Sequence, residues 1–426
     1  MRYGAPRGTA DILPRESPRW QYVENRFRDI CRLYGYDELR TPTFEETELF
    51  ARSIGEYTDI VSKEMYTFDD RAGRSMTLRP EGTAPVVRAY LQHNLSAEKP
   101  VTKLYYITGI FRYERPQKGR YREHHQVGVE AIGSQDPAID AEVIALAMQY
   151  LTSLGIRGLE LRMNSIGCPG CRPEYTEALK KAAEPYLVEL CESCRIRYHA
   201  NPLRMLDCKV PRCRELMASV PSIVEHLCPE CSEHLREVRR YLDVLGIAYT
   251  LDPRLVRGFD YYTKTAFEIV SGELGAQNAV AGGGRYDGLV AEMGGPPTPA
   301  VGFGLGIERT LAIMEAQGIE IPVDTHPSVF VATLGDKPRQ VGIKLLADLR
   351  KSGVAAEADY TGKSLKAQMK AADRERVRLT IIIGEDELGR GQIKVRNMQT
   401  KEETDVPLDQ AVTGIKKMLG AWSTRE

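Results

Sequence analysis

The sequence predicts an α+β protein that ends in a small, separate α/β domain. Residues 109–133, GIFRYERPQKGRYREHHQVGVEAIG, alternate at a period of two on both sides of a basic loop, as an antiparallel hairpin does. Elsewhere in the first three quarters of the chain, strand-like runs are separated by amphipathic stripes such as Trp20, Val23, Phe27, Ile30 and Tyr34. From residue 326 onward, apolar runs and helical segments follow one another as two β-α-β steps around a parallel core.

At 426 residues the chain is long enough for two or three domains, and 42% apolar with 27% charged residues is ordinary for a globular protein. A net charge of −1 excludes a globally basic nucleic-acid binder, so any RNA contact must come from local patches such as the hairpin loop. The first residues, MRYGAPRGTADILPRES, contain no apolar run, which predicts no membrane anchor and a cytoplasmic location.

Taken in order, Ser17-Pro18 predicts a capped helix start with proline at the first position, and Gly35 ends the stripe that follows. Cys31 inside it is expected to be a buried thiol. Residues 36–56 read as a strand, a proline-marked turn at Pro42 and a short helix. Asp69-Asp70-Arg71-Ala72-Gly73 is turn chemistry between two β-prone segments, 65–68 and 75–78. Glu81-Gly82-Thr83 opens the next helix, with Thr83 as its expected cap. There Glu81 either serves the helix terminus or, beside free N–H groups, suits a ligand carrying both ammonium and carboxylate.

In the hairpin, alternation places Tyr106, Thr108, Ile110 and Arg112 on one face of the first strand. On the second, Gln126, Gly128 and Glu130 lie opposite His125, Val127 and Val129. An arginine, an amide, a glycine and a carboxylate on a sheet face suit a small ligand with both signs of charge; a solvated edge hairpin fits the same residues. The loop carries Arg115, Lys118, Arg120 and Arg122 around a break at Gly119. A periodic helix over 139–154 and a strand from 161 follow.

Eight of nine cysteines then crowd into a short stretch: Cys168/Cys171, Cys191/Cys194, Cys208/Cys213 and Cys228/Cys231. Eight thiolates could fill two tetrahedral zinc sites. Disulfides or small buried thiols in a helical insertion are the other readings. Residues 251–270 combine Arg257, Gly258 and the pair Tyr261-Tyr262 before a strand. Residues 281–290, AGGGRYDGLV, add glycines for close backbone approach and Tyr286. Gly302, Gly304 and Gly306 alternate along a strand before a helix near Glu308. This spacing is wrong for a dinucleotide fingerprint, and no strand–helix–strand unit surrounds it. Alternate glycines instead clear one face for a flat base, with Arg309 in reach of a phosphate. Near the C-terminus, Thr361-Gly362-Lys363-Ser364 lacks the upstream glycine of a phosphate-binding loop. Lys363, Lys366, Lys370, Arg374 and Arg376 are phosphate contacts or a solvated face.

FRYERPQKGRYREHHQ resembles motif 2 of class II aminoacyl-tRNA synthetases, in the form found in histidyl-tRNA synthetases. The segment around Pro42 resembles motif 1, residues 300–311 resemble motif 3, and residues 251–270 and 281–290 match the two histidyl signatures. This resemblance implies a class II catalytic domain over 1–325, mostly antiparallel with flanking helices and interrupted by a helical insertion at 168–238. An α/β anticodon-binding domain would occupy 326–426. It implies Arg257 and Arg112 as catalytic residues at the ATP α-phosphate. Glu81, Gly82, Thr83, Gln126, Glu130, Tyr261, Tyr262 and Tyr286 would bind L-histidine. Arg112, Arg120, Gly304, Gly306 and Arg309 would bind ATP, which arrives with Mg2+. Further implications are tRNA(His) as partner, a homodimer through motif 1, and no membrane. Insertions of this kind often carry such cysteines without depending on a metal, so zinc is not the favoured reading. His124 stands where an aromatic residue is usual, adjacent to the reactive set. A histidine-sensing regulatory subunit shares the fold, but typically lacks the C-terminal domain and the motif arginines that are intact here.

Overall fold

The computed structural model describes residues 3–55, 58, 60–115, 120–274, 279–322 and 326–423. Lys118 and Gly119 of the hairpin loop lie outside the described residues. The chain divides into two compact units, Met1–Ile321 and Pro322–Glu426.

The first unit runs α1 (Ser17–Leu33), β1 (Asp37–Glu38), β2 (Phe44–Glu46), α2 (Thr47–Ile54), β3 (Tyr66–Asp69), β4 (Ser75–Leu78), α3 (Thr83–Gln92), β5 (Thr102–Phe111), β6 (Glu123–Ile132), α4 (Pro137–Ser153) and β7 (Leu159–Ser165). The cysteine-rich segment holds α5 (Arg172–Ala183), α6 (Glu192–Ala200) and α7 (Pro211–Leu216), and α8 (Pro229–Val244) leads out of it. Then come β8 (Tyr249–Leu251), β9 (Thr263–Ser271), β10 (Ala279–Arg285), α9 (Leu289–Glu292), β11 (Ala300–Gly306) and α10 (Ile307–Ala316). Eight strands form one sheet in the order β1-β5-β6-β11-β10-β9-β7-β8, and β2-β4-β3 form a second. The large sheet is antiparallel except at its edges, where β1 joins β5 and β8 joins β7 in parallel. The fold is therefore the α+β arrangement expected.

The two faces of this sheet have different fates because side chains alternate along each strand. Val127, Val129, Phe303, Phe267 and Ile269 point to one side and pack with Phe27 of α1, Ile144 and Tyr150 of α4, Leu242 of α8 and Ile313 of α10. That face is the main core, and Cys31 is fully buried in it, as expected. A charged cluster crosses the same layer. Arg285 and Asp140 are both 0% exposed and pair directly, with His234 Nε2 3.2 Å from Asp140 Oδ1 and the Ser134 carbonyl 2.8 Å from Arg285 Nη1. Burial opposes the Asp140 carboxylate, but Arg285 and His234 outweigh it and hold the pKa at about 2.

Two caps differ from expectation. The Ser17 hydroxyl donates to the Leu13 carbonyl (3.0 Å) and makes no cap bond; Glu16 occupies the cap position. At α3, Gly82 is the cap residue, and the Glu81 carboxylate accepts the N–H groups of Thr83 (2.7 Å) and Ala84 (2.6 Å). A longer acid reaches both orphan donors at once, which frees the Thr83 hydroxyl to point elsewhere.

The second unit contains β12 (Val329–Thr333), α11 (Asp336–Lys351), β13 (Ala356–Ala358), α12 (Leu365–Arg374), β14 (Leu379–Ile383), α13 (Glu385–Gly389), β15 (Gln392–Asn397), β16 (Glu403–Pro407) and α14 (Ala411–Ser423). Its order is β13-β12-β14-β15-β16. The first three strands are the expected parallel core, and an antiparallel hairpin, β15–β16, extends it. Among the described residues no helix is long and apolar enough to cross a membrane.

Candidate active site

The second face of the large sheet is built around the hairpin. Cross-strand pairing sets Tyr106 against Gly128, Thr108 against Gln126, and Leu104 against Glu130. On the other side of β6, Gly302 pairs with Glu130, Gly304 with Gly128 and Gly306 with Gln126. A Cβ at Gly302 would collide with the Glu130 carboxylate, and one at Gly304 with the Gln126 amide. Two of the three alternating glycines thus clear space for neighbouring side chains to lie flat on the sheet, whereas Gly306 meets nothing closer than its own helix's Arg309. Gly282 does the same for Arg257, whose guanidinium occupies the place of the missing Cβ.

Over this face lies a cleft of about 380 Å³. Arg112, Arg120, Arg257 and Arg309 converge on it from three separate stretches of chain. Each is aimed by an acceptor or an acid. Arg112 Nε donates to the Pro80 carbonyl (2.7 Å), and its guanidinium lies 5.7 Å from the Phe259 ring centre. Arg120 pairs with Glu114 at 2.9 Å, Arg257 pairs with Glu268, and Arg309 donates to the Ala279 carbonyl at 2.6 Å. Burial, and then the Arg120 charge, push the Arg309 pKa below its usual value, so this corner is electropositive enough to favour a polyanion. His124 also lines the cleft, contrary to its expected place beside the reactive set. Burial and the neighbouring Arg112 and Arg309 lower its pKa to about 3, so the imidazole is neutral.

Glu81, Gly82, Thr83, Gln126, Tyr261, Tyr262, Gly304 and Gly306 line the same cleft. Glu130 and Tyr286 do not; they form a layer behind it. Glu130, 1% exposed, accepts a 2.8 Å bond from the Thr83 hydroxyl and another from the Tyr286 hydroxyl. Burial raises its pKa from 4.5 to about 8, with the nearby Glu81 adding to the effect. Apart from Glu114 Oε2, which faces Arg120, three buried polar atoms of cleft residues have no hydrogen-bond partner among the described residues: Gln126 Oε1, Arg257 Nε and the Tyr261 hydroxyl. Buried polar groups are seldom left so unless a ligand completes them.

Sequence reasoning missed several lining residues: Tyr106, Glu114, Glu268, Phe259, Asp207 and Lys209. Tyr106 was visible as a face-mate of Gln126. Asp207 and Lys209 belong to the cysteine-rich segment, whose return to the cleft has no local signal. In that segment the eight cysteines form two groups, Cys168/Cys171/Cys228/Cys231 and Cys191/Cys194/Cys208/Cys213, each able to hold a metal ion.

A mostly antiparallel sheet presenting an arginine-lined cleft, in a chain that also carries a separate small α/β unit, defines a class II aminoacyl-tRNA synthetase. The family model "Histidyl-tRNA synthetase" matches residues 8–310, and "Anticodon binding domain" matches residues 328–418. A histidine--tRNA ligase of Caldanaerobacter subterraneus subsp. tengcongensis is 54% identical over 412 residues, 97% of this chain and 99% of the relative. One from Moorella thermoacetica is 53% identical over 418 residues, covering 98% and 99%. The crystal structure of apo S. aureus histidyl-tRNA synthetase superposes with a TM-score of 0.84 at 42% identity, covering 97% of this chain and all of that one. The chain belongs to the histidyl-tRNA synthetase family, and its activity is that of a histidine--tRNA ligase. The matched anticodon-binding domain favours the synthetase over the regulatory subunit.

Proposed function

We propose that the chain joins L-histidine to tRNA(His) in two steps on this one sheet face, with ATP entering as its magnesium complex. In the first, a histidine carboxylate oxygen attacks the α-phosphorus, and the bond to the pyrophosphate leaving group breaks. In the second, a hydroxyl at the 3′ end of tRNA(His) attacks the carbonyl carbon of the adenylate, and AMP leaves. Negative charge gathers on the α-phosphate in the first step, so catalysis is mainly positioning and electrostatic stabilisation. Arg112 and Arg257 serve the α-phosphate and the carboxylate, and Arg309 the γ-phosphate. Arg120 lies near ATP or the acceptor end, and Gly306 leaves the strand open beneath the base, while Gly304 lets the Gln126 side chain lie flat beside it. Glu81, Gly82 and Thr83 face the α-amino group, with Gln126 beside them. Tyr261 and Tyr262 wall the imidazole, and Glu130 with Tyr286 supplies the polar layer behind it. Such a site rejects apolar analogues, because its buried groups would be left unpaired.

The observation that carries this reading is the set of orphaned buried atoms, Gln126 Oε1, Arg257 Nε and the Tyr261 hydroxyl, at a cleft where four guanidinium groups converge. Domain limits at 1–325 and 326–426, with the insertion at 168–238, suit these roles. So does a homodimer through the Pro42 segment, which Arg79 ties to β5 with bonds to Thr41, Pro42 and Gly109 carbonyls. A cytoplasmic setting completes the proposal. ATP–pyrophosphate exchange with each of the twenty amino acids, without tRNA, tests it. Exchange with histidine alone is expected; exchange with none, alongside measurable histidine binding, would overturn it in favour of a regulatory role.

A further inference from the structure

Only part of the cysteine-rich segment's shape comes from apolar packing, through buried residues such as Tyr175, Leu179, Met205 and Ile223. Its helices α6 and α7 have nine and six residues, too short to be stable without tertiary support. Yet it donates Asp207 and Lys209 to the cleft. All nine cysteines are free of disulfides. Within each group of four, the sulfur atoms all lie within 4.8 Å of one another. Cys168 Sγ is 3.6 Å from Cys171 Sγ and 4.0 Å from Cys228 Sγ, and Cys191 Sγ is 3.8 Å from Cys208 Sγ. Four thiolates on bonds of about 2.3 Å to one tetrahedral ion stand about 3.8 Å apart. Disulfide sulfurs sit at about 2.05 Å. Each group also has a sulfur that accepts a backbone N–H: Cys171 Sγ from Cys228 (3.1 Å) and Cys213 Sγ from Cys191 (3.3 Å). Such outer bonds support thiolate ligands.

We propose that both tetrads are structural zinc sites and that together they hold the insertion against the 257–262 loop of the histidine pocket. The first closes the root of the insertion. Cys168 and Cys171 follow the end of β7, and Cys228 and Cys231 lie at the start of α8, a closure spanning 60 residues. Next to Cys171, the Arg172 guanidinium donates to the Tyr262 carbonyl. Backbone bonds from Ile166 to Lys264 and from Lys264 to Gly167, both 2.8 Å, tie the same root to the strand behind Tyr262. The second tetrad anchors the far part, since Cys208 sits between Asp207 and Lys209. There Asn201 bonds Asp260 at 2.8 Å, and Arg204 donates to the Gly258 carbonyl at 3.3 Å. Arg172, Asn201 and Arg204 are positioning residues; they act on histidine through the loop they hold.

Elemental analysis of tag-free, full-length protein purified without chelator is expected to find two zinc ions per chain. Cobalt(II) exchanged into the wild type should give the strong sulfur-to-metal charge-transfer absorption of a four-thiolate site. Cys171→Ser and Cys194→Ser should each leave one ion. Arg172→Ala should keep both ions but raise the KM for histidine about tenfold, with the KM for ATP unchanged, the effect of one lost hydrogen bond to a charged group. Substoichiometric zinc with no cobalt absorption, or iron in its place, would overturn the metal assignment even where a cysteine variant fails to fold. An unchanged histidine KM in Arg172→Ala would overturn the link to the pocket. Only the KM arm rests on the ligase reading; two ions in a protein without exchange activity would refute that reading and leave the sites standing.

Discussion

Replacing Glu130 by glutamine removes a buried carboxyl while keeping its shape, and its consequence is a pH dependence of stability. Below about pH 4.5 the group carries its proton in both folded and unfolded chains. As pH rises the unfolded chain releases that proton near 4.5, whereas burial makes the folded chain keep it until about 8. Stability is therefore fully present below 4.5, is lost progressively between 4.5 and 8, and stays lost above. At about 1.4 kcal/mol per pH unit, that interval amounts to ~5 kcal/mol. Glutamine does not titrate, so the advantage of Glu130→Gln over wild type should grow by ~5 kcal/mol across the window. Urea titrations of the two ligand-free proteins at closely spaced pH values measure it directly. Parallel stability profiles from pH 4.5 to 8.5 would refute the buried, neutral carboxyl.

Arg257→Ala should lower the rate of pyrophosphate exchange by about 10²-fold or more, the usual cost of removing one transition-state charge partner. The thermal midpoint should hardly move, because the abandoned Glu268 is 27% exposed and can take up water. Exchange near the wild-type rate would remove Arg257 from the mechanism. Gly282→Ala should reproduce much of that loss in a folded protein, since the new methyl displaces the Arg257 guanidinium; an unchanged kcat would show that its placement is not critical. Asp140→Asn takes from Arg285, 0% exposed, its buried carboxylate and leaves it only one acid, the partly exposed Asp287 at 3.2 Å; it should destabilise the first unit by up to about 3–5 kcal/mol, read from the urea midpoint.

Local patterns were legible wherever one periodicity ran through one stretch. The hairpin faces emerged as drawn, because its alternation and basic loop leave a single register that keeps Val127 and Val129 in the core. The glycine strand at 302–306 was equally plain, although its role was half misread. Two of its gaps serve Glu130 and Gln126, a fact that depends on the pairing of β6 with β11 and not on either strand alone. Cap chemistry was read one residue too far along at Ser17 and Thr83, because the Ser17 hydroxyl turns back to the Leu13 carbonyl and the Glu81 carboxylate takes the free N–H groups of α3. Glu114 was in view within the hairpin, yet its role as the partner of Arg120 was not. Contacts between distant segments were out of reach. Arg285 meets Asp140 across 145 residues, and the sequence near either gives no sign of the other.

The glycine strand also bears on how this pocket can be altered. Gly304 is a mould for the Gln126 side chain alone, so that glycine and its occupant form one unit of variation, whereas a Cβ at Gly302 would meet the Val129 carbonyl as well as Glu130. Changing β11 alone meets a collision, and shrinking a β6 residue alone leaves a void. A library that varies 126 with 304 as joint codons therefore samples folded pockets of new shape, whereas 302 stays glycine whatever stands at 130. Single-site scans of the same strand would score it as intolerant and miss that latitude.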